Sequence, residues 1–265
     1  MRVAAAIVTV LVAAGVASAA DPTPLARARM LYNVADYDGA IAAAMVARAQ
    51  PAAADAAALV EARAHLERYR RGADAADLTA ARDALGTIRA AVLSPRDQVD
   101  FLVGLGQSLY LTDLFGPAAD LFDNALERSA LLADHDRLML LDWWATALDR
   151  EAQASTPERR TRLHARIMER MDAELRRDPG SAPANYWRAV AARGSGDLDT
   201  AWDVAVAAWI RAPLRPDGSQ LRADIDKLVT DAIIPERARA RAGREQADAA
   251  ESMRSQWNLI KEQWK

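Results

Sequence analysis

The sequence predicts an all-α protein: an α-solenoid of about five antiparallel helical hairpins followed by a long C-terminal helix. Three observations predict it. Roughly a quarter of the residues are alanine, the best helix former, against 12 glycines and 3 phenylalanines. Extended period-two alternation of β-branched and aromatic residues between Gly-rich turns is missing. A two-helix unit recurs along the chain, as stacked hairpins require. A hydrophobic fraction of 51% beside 27% charged residues is enough to bury a core. A net charge of −3 argues against a generally basic, nucleic-acid-binding protein. Cysteine is absent, which excludes disulfide scaffolds, thiolate zinc sites, thiol catalysis and a lipidated N-terminal cysteine.

Residues 1–19 read as an export signal. Met1 and Arg2 give a positive start, Val3 to Val16 is an apolar run, and Ala17-Ser18-Ala19 offers small residues at the positions a signal peptidase reads. The run is short for a membrane span, and no later stretch approaches the roughly 18 apolar residues that one needs. The mature chain is therefore expected to start near Ala20 or Asp21, outside the cytoplasm. With Lys227, Lys261 and Lys265 as its only lysines and a high alanine content, the chain fits a GC-rich bacterial genome and a periplasmic or otherwise exported location.

Residues 20–213 read as the hairpin array. Leu25 to Asn33, the turn Ala35-Asp36-Tyr37-Asp38 and Ala40 to Ala49 form the first hairpin, stopped by Pro51. Ala53 to Arg71 and Asp77 to Leu93 form a longer second one. In the third, Phe101, Leu102, Leu105 and Leu109 make one helical stripe, Asp113 to Pro117 break it, and Ala118, Leu121, Phe122, Ala125 and Leu126 line the return helix. Pro117 belongs in that helix's first turn, where its missing N–H costs nothing. The fourth pairs Asp136 to Glu151 with Glu158 to Arg177, with Thr156 as N-cap and Pro157 at the first helical position. The fifth pairs Ala184 to Arg193 with Leu198 to Ile210 across Gly194-Ser195-Gly196-Asp197. Residues 214–265 form a C-terminal extension: a helix from Leu221 to Ile234 stopped by Pro235, then a continuous charged helix from Glu236 to Lys265. Met253, Trp257, Ile260 and Trp264 recur there at spacings of four, three and four, a heptad seam.

Three hairpins resemble the tetratricopeptide repeat, a helical pair of 34 residues with small residues where its helices cross. The resemblance rests on Ala28, Leu31, Asp36-Tyr37-Asp38, Ala40, Ala44 and Ala47 in the first, and on Leu105-Gly106, Leu109, Ala118, Phe122 and Ala125 in the third. Ala189, Gly196-Asp197, Ala201, Ala205, Ala208 and Pro213 carry it in the fifth. Small residues at the crossing let helix axes approach to about 8–10 Å. The resemblance implies a right-handed solenoid whose first helices line a concave groove for a peptide or helix of a protein partner. Its groove positions fall on Arg29, Tyr32 and Asn33; on Val103, Gln107 and Tyr110; on Asp142, Thr146 and Asp149; and on Tyr186, Val190 and Arg193. Tyr32, Tyr110 and Tyr186 are expected to form a recurrent aromatic line. The family's carboxylate clamp needs Lys and Asn where this chain has Leu25, Arg29, Val103 and Gln107, so that mode of recognition is not expected.

No constellation points to catalysis, metal or cofactor. His65, His135 and His164 lack the partner spacing of a helical metal motif. Gly104-Leu105-Gly106 lies within a helix rather than after a strand, so it reads as packing, not as a phosphate loop. The pairs Asp134/Asp136 and Asp224/Asp226 point to different faces and read as caps or solvated positions. The arginines at 159, 160, 162 and 166, and at 237, 239, 241 and 244, are interleaved with acids and read as paired helix surface. Trp202 and Trp209, seven apart, read as core; Trp257 and Trp264 belong either to a fold-back cap or to a seam for another chain.

The expected function is a non-enzymatic, exported scaffold or adaptor holding a cell-envelope protein in its groove, without nucleic acid. The alternatives are a homo-oligomeric structural protein using the Met253–Trp264 seam and, weakest, a helical cell-envelope hydrolase, for which no acid stands out.

Overall fold

The computed structural model describes residues 21–214, 216, 218–239 and 244–265, so the export signal read over 1–19 lies outside the described residues. The described residues are all helical and without strands: α1 (Pro24–Asn33), α2 (Tyr37–Arg48), α3 (Ala54–Gly72), α4 (Ala75–Gly86), α5 (Pro95–Tyr110), α6 (Phe115–Leu126) and α7 (Asp134–Gln153). There follow α8 (Pro157–Arg177), α9 (Ala182–Gly194), α10 (Leu198–Arg211), α11 (Gly218–Leu228), a π turn (Val229–Ile233), α12 (Ile234–Arg239) and α13 (Arg244–Gln263). Each helix from α1 to α11 touches the next. Odd-numbered helices also touch one another: α3 meets α1 and α5, and α9 meets α7 and α11.

Local chemistry sets the boundaries. Asp36, Asp74, Ser94 and Asp197 each accept a backbone N–H of the first turn of the helix they cap, at 2.9–3.1 Å. Thr156 does the same for Arg159 at 3.5 Å, with Pro157 opening α8. The turns before α2, α6 and α10 share one geometry. Ala35, Asp113 and Gly196 are left-handed (φ 61°, 60° and 82°), and the N–H of each donates to the carbonyl of the residue three before it. The next N–H donates to the carbonyl five residues before it (Leu31, Leu109 and Ala192), which closes the last turn of the first helix.

Small residues stand where paired helices cross. Ala28 and Ala44, Ala118 and Ala125, and Ala189 and Ala205 are fully buried. A Cβ on Gly106 would fall 2.4 Å from the Phe122 ring, and one on Gly194 would fall 2.3 Å from the His164 ring, so α5 seats α6 and α9 seats α8 only through glycine. The largest apolar core runs from Val99 on α5 to Trp257 on α13.

Three expected boundaries are corrected. The helix read from Asp77 to Leu93 ends at Gly86. The Thr87 hydroxyl donates to the Ala84 carbonyl, and the Asp55 carboxylate takes the Arg89 N–H at 2.7 Å, drawing the chain out of helical register. Pro235 does not stop the helix before it: the π turn moves the hydrogen-bond ladder by one residue, and Pro235 sits in the first turn of α12, where no donor is required. The continuous helix read from Glu236 to Lys265 is instead α12 and α13, and α13 lies back against α12 and α10. Three α8 arginines find partners on neighbouring helices, Arg159 with Glu151 and both Arg166 and Arg170 with Asp123, while Arg177 pairs along α8 with Glu174 at 3.4 Å.

Candidate functional site

Two clefts follow the odd-numbered helices. The first, about 30 Å³, lies between α3, α5, α6 and α7, shares Met139 with the second, and has room for little more than one water molecule. Its walls are tied across by the chain's own side chains. The Arg63 guanidinium lies 4.6 Å over the Tyr32 ring and 3.1 Å from Asp100. Arg96 joins Asp100 at 3.3 Å to Asp136 at 2.8 Å, which links α5 to α7. Arg29 reaches from α1 to Asp97 on α5 at 2.8 Å. Arg70 covers the Trp143 ring, whose other neighbours are Tyr110 at 5.4 Å and Phe122 at 5.9 Å. Burial raises the Tyr32 phenol above its ordinary range, against the opposing field of Arg63. Along these helices each named acid meets an arginine.

The second cleft, about 470 Å³, is lined among the described residues by α7, α9 and α11. His135, Leu138, Met139 and Asp142 come from α7, Ala182, Pro183 and Tyr186 from α9, and Gln220, Leu221 and Asp224 from α11. Met139 keeps 41% of its surface exposed. The carboxylate of Asp142 accepts the Trp187 indole N–H at 2.7 Å, which fixes α7 to α9, and the Tyr186 ring stands edge-on to Trp187. Asp224 accepts the Gln220 amide of its own helix at 3.1 Å. Partial burial raises the Asp142 carboxyl; the indole N–H opposes that shift and the Asp224 charge adds to it. Burial raises the Tyr186 phenol too, reinforced by Asp224, Asp149 and Asp142 and opposed by Arg193.

The residues expected in a groove thus separate. Asp142 and Tyr186 line the larger cleft, and Val103 and buried Gln107 line the smaller. Arg29, Tyr32 and Tyr110 are engaged in contacts between helices, and Asn33 is exposed at the end of α1. Asp149 faces the buried His164 at 3.2 Å, Arg193 is held by Glu236 of α12 at 2.6 Å, and the Thr146 hydroxyl donates to the Asp142 carbonyl. Buried Val190 belongs to the core. The shared turn geometry corrects the aromatic line: Tyr32, Tyr110 and Arg193 each stand three residues before the left-handed residue, whereas Tyr186 stands ten before it, level with Val103.

Met139, Gln220 and Asp224 are the residues sequence reasoning missed. Met139, Asp142, Trp143 and Thr146 are spaced as one helical stripe, and that spacing is the signal that could have found Met139. Asp224 was read only as a cap or solvated position beside Asp226, because α11 belongs to none of the five hairpins.

The heptad seam turns inward. Trp257 is fully buried against Trp202 at 6.0 Å and Trp209 at 5.4 Å, and its indole N–H donates to Asp226, which also meets Lys261 at 2.9 Å. Met253 and Ile260 pack half-buried on the same core, and the Trp264 carbonyl accepts the Trp209 indole N–H at 3.2 Å while its ring stays 45% exposed. His65 meets Asp77 at 2.8 Å. Among the described residues no group of three His, Asp or Glu side chains could hold a metal ion, and no helix is long and apolar enough to cross a membrane. Comparison with protein-family models, with curated proteins and with solved structures found no match to this chain.

Proposed function

We propose that this chain is an exported, non-enzymatic binding protein. Its hairpins stack as a tetratricopeptide-like solenoid, and its odd-numbered helices hold a peptide or helix of a cell-envelope protein. The observation that carries the reading is the larger cleft, whose walls among the described residues come from α7, α9 and α11. Helices α7 and α9 open successive hairpins and α11 continues their row, and such rows form the surface on which helical arrays bind extended or helical segments. Its volume of about 470 Å³ falls in the range of about 300–1,000 Å³ usual for ligand sites, and the smaller cleft does not. The family's 34-residue period is not kept, since the left-handed turn residues Ala35, Ala73 and Asp113 lie 38 and 40 apart, so the likeness lies in the crossing residues and the turn. Self-association through the C-terminal helix is less favoured, because the chain itself buries Trp257.

The test is partner capture by the full chain in its own host. Met139→Glu and Tyr186→Ala should each reduce capture at least tenfold, while the distant Glu127→Ala leaves it unchanged. Equal capture by all three would remove the groove. Edman sequencing of the protein from that host should begin at Ala20 or Asp21; a chain that begins at Met1 would remove the export assignment.

A further inference from the structure

The two ends of the helical stack are finished differently. At the C-terminal end the chain covers itself: Trp257 is fully buried, and α13 turns mainly polar residues outward (Glu251, Arg254, Gln256 and Glu262), with Leu259 and the Trp264 ring as its exposed large apolar groups. At the other end, among the described residues, the first hairpin has a neighbour on one side only, since α1 and α2 pack on each other and on α3. An end hairpin of a stack needs a polar outer face to stay in solution. This one is apolar. Of the twelve large apolar side chains left exposed among the described residues, four (Met30, Val34, Met45 and Val46) fall within residues 30–46 at 52–69% exposure, and the other eight are spread over residues 92–264. Single exposed apolar side chains need no explanation, whereas a group of them on one face marks an interaction surface. Between α1 and α2 that face opens into a cleft of about 400 Å³, lined by Leu31, Ala42, Ala43 and Val46 together with Arg27 and Asp36. Met30 and Val34 stand three and seven residues after Arg27, and Met45 three after Ala42, so helical spacing sets all three beside the cleft.

We infer that this face seats a second copy of this chain, like end against like end about a two-fold axis. Val34 and Val46 of each copy cover the cleft of the other, with Arg27 of each beside Asp36 of the other. Two observations select that occupant. The cleft carries both signs of charge, and neither Arg27 nor Asp36 makes an ion pair with a described residue, so the face is its own complement under a two-fold rotation. The opposite end of the molecule is covered by α13 and is mostly polar, so copies added head to tail lack a matching surface. Exposed charge pairs add little affinity and serve to fix register, so the apolar side chains supply the attraction. A face two helices wide lies at the small end of interface sizes, and a dissociation constant in the micromolar range is expected. The inference is independent of the cleft between α7, α9 and α11.

The test is sedimentation equilibrium of the full chain as its host processes it. The mass should be that of two chains at about 100 µM and should approach that of one chain at about 1 µM. Val34→Glu combined with Val46→Glu should give one chain at every concentration, with unchanged melting of the dilute protein because both sites are exposed. Arg27→Glu should raise the dissociation constant at least threefold at 50 mM salt and by less at 300 mM. Leu259→Glu, at the other end, should leave the dimer intact. A single-chain mass at 100 µM, or a mass that climbs past two chains, would overturn the inference. So would a dimer lost with Leu259→Glu and kept by the double variant. A parent chain that stays monomeric, but whose partner capture in the host is lost in the double variant, would reassign the face to a different protein.

Discussion

Gly106 and Asp142 show how one atom decides packing in the first case and charge in the second. At Gly106 the missing Cβ is what lets Phe122 seat, so Gly106→Ala should destabilise the fold by about 1–3 kcal/mol through overpacking, read as a lower denaturant midpoint. An unchanged midpoint would mean that the Phe122 ring swings aside freely. Asp142 has a folded-state carboxyl raised above its unfolded value near 3.9, so the native state holds that proton more tightly than the unfolded chain. Its contribution is then most favourable below the unfolded value and is lost as pH rises through the folded one. Asp142→Asn keeps an acceptor for Trp187 and removes the charge, so the variant should melt higher than the parent at pH 7 and equal to it near pH 3. A lower melting temperature at pH 7 would mean that the ionised carboxylate is compensated in the native state. Asp142 and Tyr186 were expected as groove positions from the resemblance to the tetratricopeptide repeat, and both line the larger cleft. That Asp142 shares a cleft with Asp224 was not legible, because Asp224 comes from a helix some 80 positions away along the chain.

Among the elements, α13 and the hairpin turns carry the most. Trp257 joins α13 to α10 and α11 through two ring contacts and one hydrogen bond to Asp226. Trp257→Ala should cost about 3–5 kcal/mol, the range for emptying a large aromatic site. Deleting every residue after Ala250 should lower the melting temperature and expose Trp202 and Trp209 to a fluorescence quencher. A shortened chain with unchanged melting and unquenched tryptophans would separate α13 from the core. The seam's four-three-four spacing was plain in the sequence; its direction was not, since a heptad stripe looks the same whether it meets its own chain or another. Turn residues gave the first, third and fifth hairpins closely. They misled at Gly86, where Asp55 from a distant helix captures the Arg89 N–H, and at Pro235, where a π turn absorbs a residue that local rules treat as a stop.

For the molecule as a whole, the division of labour lies between a tied half and an open half. Arginine–acid pairs, arginine–ring contacts and tilted or edge-on rings link α1, α3, α5 and α7, while α7, α9 and α11 leave a cleft lined by aliphatic side chains together with His135, Tyr186, Gln220 and two acids. A ligand in the first region would have to displace paired charges, whereas the second leaves its cleft unfilled. Composition and periodicity gave the helical class, because alanine content and a 3.6-residue stripe are local properties. Which half stays open depends on how α11 and α12 fold back, and no local signal encodes that. The measurement that bears most directly on the binding role is photo-crosslinking of the full chain in its host, with benzoylphenylalanine placed at Met139 in the cleft or at Asp203 on α10. The binding role predicts one discrete adduct from Met139, reduced by Tyr186→Ala, and none from Asp203. The same adduct from both positions, or none from Met139, would contradict it.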